Sequence, residues 1–292
     1  MSYYSIADLE KLSGIKSHTI RIWEKRYNLL TPERTDTNIR TYDDEQLRKI
    51  LNVSLLVNKG LKISKIANLN PSEITEKVTV MTSKDDDYKS QINRLIIDSL
   101  EFNETGFKDI INDLINTKGF SKTFKEVITP LLNKLGTLWT TGDIYPANEH
   151  FISSLITRKL SAAIDNIDFK TLDRPTVLMF TPPWDNHNFG LLYAEYIYRN
   201  AGCKTINIGL SISVESIEMC VKKINPDIIF TTFIIGQKQH KMQQFVDQLW
   251  NIKGSSKILF GGTPDILKLI RTNATKFYDI QDFEKSVKKQ FK

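Results

Sequence analysis

His187 is the residue whose type and position most clearly suggest chemistry. It stands in the string Asp-Asn-His-Asn-Phe-Gly at 185–190, directly after the apolar run 177–180. A histidine that follows a buried strand faces the edge at which open α/β sheets bind ligands. Asp185 could hold one ring nitrogen and leave the other for a metal. His187 is therefore a candidate metal ligand. The alternative is a hydrogen-bonded structural or surface histidine, because D-x-H-x-x-G strings also arise by chance.

A second group of residues lies in a helical region earlier in the chain. Trp139 is followed, after nine residues, by Glu149 and His150. Gly142 is predicted to end one helix, and Pro146 suits the first turn of the next. Trp139 and His150 are therefore expected at the same end of a helix bundle. Core packing is the alternative for both residues.

A third group ends two predicted strands. Thr232 lies at the end of the third strand, and Gly261 and Gly262 lie at the end of the fourth. Glycines at a strand end allow a ligand to approach the backbone closely. The alternative is ordinary turn formation, for which Gly-Gly is also suitable.

The elements that must position these groups follow from the hydropathy pattern. From Arg174 onward, strand-like runs alternate with helical segments, which is typical of a parallel sheet with helices on both faces. Upstream, amphipathic segments predict four antiparallel helices that form a small bundle. The predicted strands are 176–181, 204–208, 227–234, 257–260 and 275–278, and the predicted helices are 88–101, 104–117, 121–141 and 146–165.

Short helices with defined ends are predicted for about the first 69 residues. Ser5 and Asp8 form a capping-box pattern, and Gly14 ends the first helix. Ser17 is predicted to cap a second helix, which carries Arg21 opposite its apolar face. Two short helices joined by a tight turn form a helix-turn-helix.

A small hairpin, or wing, is predicted over residues 32–42. A longer helix is expected from Asp43, with Gln46 completing its cap, to Gly60, and a short helix at about 62–68. The chain is thus predicted to be a multidomain α and α/β protein. Its expected parts are a winged helix-turn-helix at 1–70, a linker at 71–87, a four-helix bundle at 88–168 and a doubly wound, Rossmann-like parallel-sheet domain at 174–292.

Composition narrows the class of protein. The chain has 292 residues, a net charge of +6 and two cysteines, Cys203 and Cys220. It contains no apolar run of about 18 residues and no signal-peptide pattern at its start, so a cytoplasmic protein without a membrane partner is expected. With no Walker or G-x-G-x-x-G motif and no histidine near either cysteine in sequence, no catalytic residue is nominated.

A basic region covers the predicted second helix and the hairpin. Between residues 16 and 40 there are six basic and three acidic residues. The basic side chains would lie where a helix-turn-helix meets phosphates and the major groove, although a merely solvated face is the alternative. The basic residues are Lys16, Arg21, Lys25, Arg26, Arg34 and Arg40.

The string Thr-Ile-Arg-Ile-Trp-Glu-Lys-Arg-Tyr at 19–27 resembles the recognition helix of MerR-family transcription regulators. The resemblance covers about the first 70 residues and implies a double-stranded DNA operator as partner. It implies that Arg21 and Lys25 reach the groove or phosphates, while Trp23 could pack or contact DNA. Where the family has glycine in the wing, this chain has Asn38, which tolerates the left-handed conformation. The residues implied to contact the DNA backbone are Tyr27, Arg34, Arg40 and Tyr42.

The region 88–280 resembles the cobalamin-binding domain of methionine synthase and its relatives. The shared motifs, in order, are D-x-H-x-x-G with its Gly190, a hydroxyl residue at Thr232 and the Gly-Gly pair. The Trp-x9-Glu-His element is similar to that of light-responsive, B12-dependent MerR-type repressors. Together these resemblances imply a cobalamin cofactor, in the adenosyl or another form.

The resemblance also implies roles for individual residues. His187 would be the lower cobalt ligand, and Asp185 would orient it in a hydrogen-bond network that the Thr232 hydroxyl extends. The slot at Gly261 and Gly262 would receive the nucleotide base of the cofactor. Trp184 could narrow the entrance. The residues implied to cover the upper face are Trp139, Glu149 and His150, the last as a possible upper cobalt ligand.

The function that this resemblance implies is a non-enzymatic transcription regulator, expected to be a repressor. Cobalamin, with light as the signal, would control its DNA affinity and its assembly into a dimer or tetramer through the C-terminal domains. One alternative is a MerR-type regulator that acts independently of B12 through an antagonist protein. The other is a corrinoid methyl carrier, which would not need a DNA-binding module.

Overall fold

The computed structural model describes residues 4–34, 38–82, 88–140, 145–167 and 174–291. The chain divides into two compact units, Met1–Ile156 and Thr157–Lys292. The border between the two units falls within the helix Pro146–Asp165, and the predicted domain boundaries at 168 and 174 stay a prediction.

The first helix of the N-terminal unit ends as predicted, whereas the cap of the second does not. Ser5 and Asp8 form the capping box, and Gly14 has a left-handed φ of 74°. The prediction that Ser17 caps the second helix is wrong, because the N-cap is Lys16. The Ser17 hydroxyl instead donates to Glu10 Oε2 at 2.6 Å and joins the two helices. The elements of this region are α1 (Ile6–Ser13), α2 (Ser17–Tyr27), β1 (Glu33–Arg34), β2 (Arg40–Thr41), α3 (Asp44–Asn58) and α4 (Ile63–Ile66).

The wing consists of the antiparallel strands β1 and β2. Asn38 has a φ of 65°, so the left-handed conformation expected at this position is confirmed. Its Oδ1 accepts a hydrogen bond of 2.6 Å from Arg34 Nη1. At the start of α3, Asp43 accepts from the Gln46 amide at 2.9 Å, so the predicted cap is present. The Gln46 side chain does not complete a capping box, because it pairs with the backbone of Thr31.

The predicted linker at 71–87 is wrong over 71–82, because α5 (Pro71–Thr82) occupies that range. Asn70 Oδ1 accepts from the Glu73 amide at 2.9 Å, and Glu73 Oε2 accepts from the Asn70 amide at 2.7 Å. This is a capping box with proline at the first helical position, a start signal that the polar composition obscured. Residues 83–87 lie outside the described part.

Helix α3 is surrounded by other helices. All positions from Ile50 to Leu56 are buried, whereas a surface helix buries one stripe only. Its neighbours include α1, α4 and α5 as well as α6 (Tyr88–Leu100), the first helix of the predicted bundle. The DNA-binding segment and the start of the bundle therefore share one core.

The helices predicted for the bundle are confirmed, with one difference inside the third. They are α6, α7 (Glu104–Lys118), α8 (Phe120–Thr123), a π-helical turn (Phe124–Ile128) that continues into α9 (Thr129–Thr140), and α10 (Pro146–Asp165). The Asn148 side chain donates to the Ser99 carbonyl at 3.0 Å, and the Ser99 hydroxyl donates to the Asn148 carbonyl at 3.2 Å. This reciprocal pair holds α10 against α6.

The second unit contains a five-stranded sheet in which all pairs of neighbouring strands are parallel. The strand order is β4-β3-β5-β6-β7. β4 therefore lies on one side of β3, and β5, the next strand along the chain, lies on the other side. The doubly wound fold is therefore confirmed, and the carboxyl ends of β3 and β5 form its topological switch point. The strands are β3 (Thr176–Phe180), β4 (Lys204–Asn207), β5 (Ile228–Phe233), β6 (Lys257–Gly262) and β7 (Thr275–Phe277). The helices are α11 (Phe189–Asn200), α12 (Val214–Ile224), α13 (Gln239–Ile252), α14 (Pro264–Leu269) and α15 (Ile280–Gln290).

Alternate residues of β5 pack into two different layers. Phe230 contacts the rings of Tyr198 and Phe283, whereas Ile229 and Phe233 belong to the opposite core cluster. Thr232 shares the face of Phe230 and lies at the carboxyl end of the strand. Among the described residues, no helix combines the length and the hydropathy needed to cross a bilayer.

Candidate cofactor site and DNA-binding surface

Asp185 joins the two loops at the switch point. Its side chain is fully buried, and Oδ2 accepts hydrogen bonds from the backbone amides of Ile234 at 2.7 Å and Ile235 at 3.1 Å. Oδ1 accepts from the His187 backbone amide at 3.0 Å. The loop after β3 is thereby fixed to the loop after β5.

The Asp185 carboxylate is held in its charged form. Burial raises its pKa, but the hydrogen bonds from the His187 ring and from the backbone amides of His187, Ile234 and Ile235 outweigh that effect, and the pKa lies below its usual value. A charged carboxylate at this position is a strong hydrogen-bond acceptor for an imidazole N–H.

The predicted hydrogen bond between Asp185 and the His187 ring is present. Nδ1 of His187 lies 2.9 Å from Asp185 Oδ1, and the His187 side chain is 48% exposed. Because Nδ1 donates to the carboxylate, Nε2 is the nitrogen that could coordinate a metal. A single imidazole suits a metal whose in-plane positions are filled by a macrocycle, as in cobalamin.

Thr232 lies at the same edge but does not join the Asp185 network. Its hydroxyl is buried and has no hydrogen-bond partner in the structure. The prediction that it extends the network is therefore wrong: the backbone amides of Ile234 and Ile235, and not the Thr232 hydroxyl, donate to Asp185 Oδ2. An orphaned buried hydroxyl is unfavourable, so this position is suited to a ligand that would supply the missing partner.

The predicted glycines surround the Thr232 side chain. A Cβ added to Gly190 or to Gly261 would lie 3.6 Å from Thr232 Cγ2, and the Gly261 Cβ would also lie 3.1 Å from Phe230. Side chains at these positions would fill the space beside the threonine. The arrangement fits the slot that the sequence predicts, and cobalamin binding by these particular residues stays a prediction.

We expect Thr232→Val to show whether the Thr232 hydroxyl binds the ligand. The substitution removes an unpartnered polar group, so it should raise the free energy of unfolding of the cofactor-free protein by about 1 kcal/mol. It should also weaken cobalamin binding, because the ligand would lose a hydrogen bond. Urea denaturation and a cobalamin titration measure the two effects.

Thr231→Val is the matched control for this substitution. The Thr231 hydroxyl is also buried without a partner, but Thr231 alternates with Thr232 and faces the other side of the sheet. We expect the same gain in stability with unchanged cobalamin affinity. Equal losses of affinity in both variants would contradict the assignment of Thr232 to the site.

The loop after β3 is held by residues that the motif did not indicate. The Thr181 hydroxyl accepts from the Ser211 amide at 2.8 Å and donates to the Asp185 carbonyl at 2.5 Å. Trp184 Nε1 donates to the Ile235 carbonyl at 3.2 Å, and its ring packs on Phe245 at 5.3 Å. Trp184 therefore packs against α13 and supports the loop, although the sequence suggested that it could narrow the entrance.

The predicted upper-face residues lie near the C-terminal end of α9 and the N-terminal end of α10. Trp139 is in α9, and its side chain lies outside the described part. His150 is in the first turns of α10, and its Nδ1 lies 3.0 Å from Glu149 Oε2. Glu149 Oε1 accepts from the Ser153 hydroxyl at 2.5 Å. Glu149 is thus placed to orient the exposed His150 ring, and its role beside cobalamin stays a prediction.

The basic residues of α2 lie on its exposed side, as predicted. Arg21, Lys25 and Arg26 are exposed, whereas Ile20 and Trp23 are buried. Trp23 is therefore a core residue, which resolves the alternatives left by the sequence. In the wing, Arg34 is exposed, and Tyr27 is partly buried with the Arg26 guanidinium above its ring at 5.4 Å.

The expectation that Tyr42 contacts DNA is wrong. Tyr42 is fully buried, pairs through its backbone with Tyr4 and donates its hydroxyl to Glu24. Burial and the neighbouring Glu24 carboxylate raise its pKa above the usual value. Glu24 also forms an ion pair with Arg40 at 3.3 Å, so Tyr42 and Glu24 position the wing arginine instead of binding DNA.

Family profiles match three parts of the chain. The MerR HTH family regulatory protein matches residues 4–73, and two profiles, each described as a B12 binding domain, match residues 91–164 and 175–280. The chain therefore contains a MerR-type helix-turn-helix region followed by B12-binding domains. Cobalamin is accordingly the cofactor that this regulator binds, and the DNA-binding module is the segment that contains α2 and the wing.

The whole chain is homologous to two transcriptional repressors. It is 23% identical over 252 residues to the HTH-type transcriptional repressor CarH of Myxococcus xanthus, and the match covers 84% of each chain. It is 22% identical over 261 residues to the repressor CarA of the same organism, with 88% of this chain and 85% of the relative covered. Both matches extend through the DNA-binding and the B12-binding regions.

A solved structure supports the fold of the larger part of the regulator. The monomethylamine corrinoid protein of Methanosarcina barkeri matches with a TM-score of 0.57 at 11% sequence identity. The match covers 70% of this chain and 100% of that chain. At this identity the likeness concerns the fold alone.

We expect Arg21→Ala to weaken DNA binding by the regulator and to lower its salt dependence. An exposed arginine that contacts one phosphate displaces a counterion, so its loss should reduce the slope of log K against log salt by about one. Electrophoretic mobility or anisotropy titrations across salt concentrations measure the slope. Arg271→Ala removes the same charge from an exposed position in the second unit and should leave the slope unchanged. An unaltered slope for Arg21→Ala would remove this residue from the contact set.

Proposed function

We propose that this regulator is a repressor whose affinity for operator DNA is set by cobalamin bound at the switch point of its sheet. The observation that carries the proposal is the fully buried Asp185, which fixes two loops and turns the His187 ring so that Nε2 can coordinate cobalt. The same chain presents exposed arginines and lysine on α2. A cofactor site joined to a DNA-binding module indicates signalling.

The residues at the sheet edge would hold the cofactor from below. His187 would bind cobalt and displace the nucleotide base of cobalamin, and the slot beside Thr232, Gly190 and Gly261 would receive that base. Bound adenosylcobalamin would supply a cobalt–carbon bond that visible light can break. The protein supplies a fixed imidazole and the space for the base.

The residues near the end of the bundle would cover the upper face. Trp139 and Glu149 would lie against the adenosyl group, and His150 would supply a further imidazole for the cobalt. The contact of His150 Nδ1 with Glu149 Oε2 supports this role, because it restrains an otherwise exposed ring.

The remaining parts of the proposal concern assembly and setting. The regulator would act in the cytoplasm as a homo-oligomer, a dimer or tetramer formed through its C-terminal domains, and an antagonist protein could oppose it. It would catalyse no reaction, because the homologous proteins CarH and CarA are transcriptional repressors by name. Operator DNA is its primary partner.

The deciding experiment combines spectroscopy with DNA binding. The full-length protein is purified with adenosylcobalamin in darkness, its absorption spectrum is recorded, and the measurement is repeated after illumination together with sedimentation and operator binding. We expect a bound spectrum that changes with light, accompanied by changed assembly and DNA affinity. A colourless protein would refute cobalamin control, and a bound spectrum insensitive to light would refute the photochemical step only.

A corrinoid methyl carrier is the second candidate, because the fold resembles that of a corrinoid protein. A carrier of this type leaves the MerR region at 4–73 without a role. Turnover of a methyl donor in the presence of the cobalamin-loaded protein would favour the carrier. Cobalamin-dependent DNA binding without such turnover would favour the repressor.

A further inference from the structure

The exposed face of α2 carries one large apolar side chain among basic ones. Ile22 is 43% exposed. His18 and Arg26, four residues before and after it, and Lys25, three residues after it, are also exposed. Side chains at this spacing are neighbours on a helix surface. Ile22 therefore lies at the centre of a basic stripe.

This stripe is kept free of negative charge from its own helix. The acidic residue of α2 is Glu24, and its side chain is only 9% exposed because it binds Arg40 and the Tyr42 hydroxyl. An exposed carboxylate at this place would repel phosphate groups. Because the Glu24 side chain is turned inward, the surface around Ile22 is complementary to a polyanion.

We infer that Ile22 is a specificity-determining residue that contacts the C5-methyl group of a thymine in the operator. The inference rests on the proposed DNA-binding function. The second helix of a helix-turn-helix lies in the major groove, with phosphates on both sides and base edges at the centre. The thymine methyl is the apolar group that base pairs present in that groove. Lys25 and Arg26, which flank Ile22 on the helix surface, would meet phosphates, and Ile22 would meet the base pair between them.

The test replaces single thymine methyl groups. The full-length protein, with and without adenosylcobalamin, is first used to enrich duplexes from a random library. Each thymine of an enriched duplex is then replaced in turn by deoxyuridine, which lacks only the C5-methyl, and the Kd is measured at fixed salt. We expect one position in each half-site at which the loss of the methyl weakens binding about fourfold, the effect of exposing one buried methyl group.

Variants of Ile22 test whether its side chain causes the loss of affinity on replacing thymine by deoxyuridine. With Ile22→Ala, the thymine and deoxyuridine duplexes should bind equally, whereas Ile22→Val should retain most of the difference. Met219→Ala, which shortens an exposed apolar side chain on α12, should behave as the unmodified protein. Thermal unfolding should be unchanged in all three variants, because the side chains are exposed.

The possible failures are distinguishable. If duplexes are enriched but no deoxyuridine position weakens binding, or if the methyl effect persists in Ile22→Ala, the assignment of Ile22 is overturned while DNA binding stands. If no duplex is enriched with or without cobalamin, the proposed DNA-binding function itself is overturned, and this inference with it.

Discussion

Replacing His187 by alanine is expected to lower the affinity of the protein for cobalamin by about 100-fold or more. Loss of a residue that only orients a metal ligand typically costs 10-fold to 100-fold in metal affinity, so loss of the ligand itself should reach the upper end of that range or exceed it. The lower-ligand signature in the absorption spectrum should disappear as well. Equilibrium dialysis in darkness and the spectrum of the remaining complex are the measurements.

Two further variants test whether this loss of affinity is specific to His187 and to the Asp185 carboxylate that orients it. Asp185→Asn keeps the size of the side chain but weakens the acceptor of the Nδ1 hydrogen bond, so we expect a loss of about 10-fold. His240→Ala removes an exposed histidine from α13 and should bind cobalamin as the unmodified protein does. Retention of full affinity and an unaltered spectrum in His187→Ala would refute the assignment of the lower ligand.

Replacing Gly262 by alanine is expected to destabilise the second unit by about 4 kcal/mol. The glycine has a φ of 147°, a conformation that side-chain-bearing residues rarely adopt. An added Cβ would lie 2.2 Å from the Phe233 carbonyl oxygen, so β5 and β6 would have to separate at their carboxyl ends. Urea unfolding of the full chain, followed by circular dichroism, should show an earlier transition.

Gly254→Ala separates strain of the backbone from collision with a neighbour. Gly254 also has a positive φ, of 58°, but an added Cβ would meet nothing within 4 Å. Its replacement should therefore cost only about 1 kcal/mol. If both substitutions had the same small effect, the close approach of β6 to β5 would not be a constraint on the site.

The sheet and the bundle could be predicted from sequence because their signals are local. Strand-like runs of four to eight residues bounded by turns mark β3 to β7, and the period of the amphipathic segments marks α6 to α10. His187 and its Asp185 partner are two residues apart, so their hydrogen bond was also predictable. The stretch at 71–82 has the polar composition of a linker, and its helix is indicated only by the capping signal at Asn70 and Pro71.

The errors at the sites have a common physical origin. The side chain that pairs with Tyr42 is 18 residues away, on α2, and no local pattern indicates that Glu24 turns inward. Likewise, the amides of Ile234 and Ile235 reach Asp185 from a loop about 50 residues later. Backbone donors carry no sequence signature, so these two hydrogen bonds to Asp185 could not be foreseen.

The complete burial of α3 has a consequence for exchanging parts between proteins. A recombinant fusion cut at residue 70 would leave the layer that α5 and α6 cover exposed to water, and the severed piece would tend to aggregate. Because α6 is itself covered by later bundle helices, a transplantable cassette for this DNA reader should extend to the end of the first compact unit, at Ile156. Gene shuffling between related sequences would, for the same reason, favour breakpoints after this unit over breakpoints near residue 70.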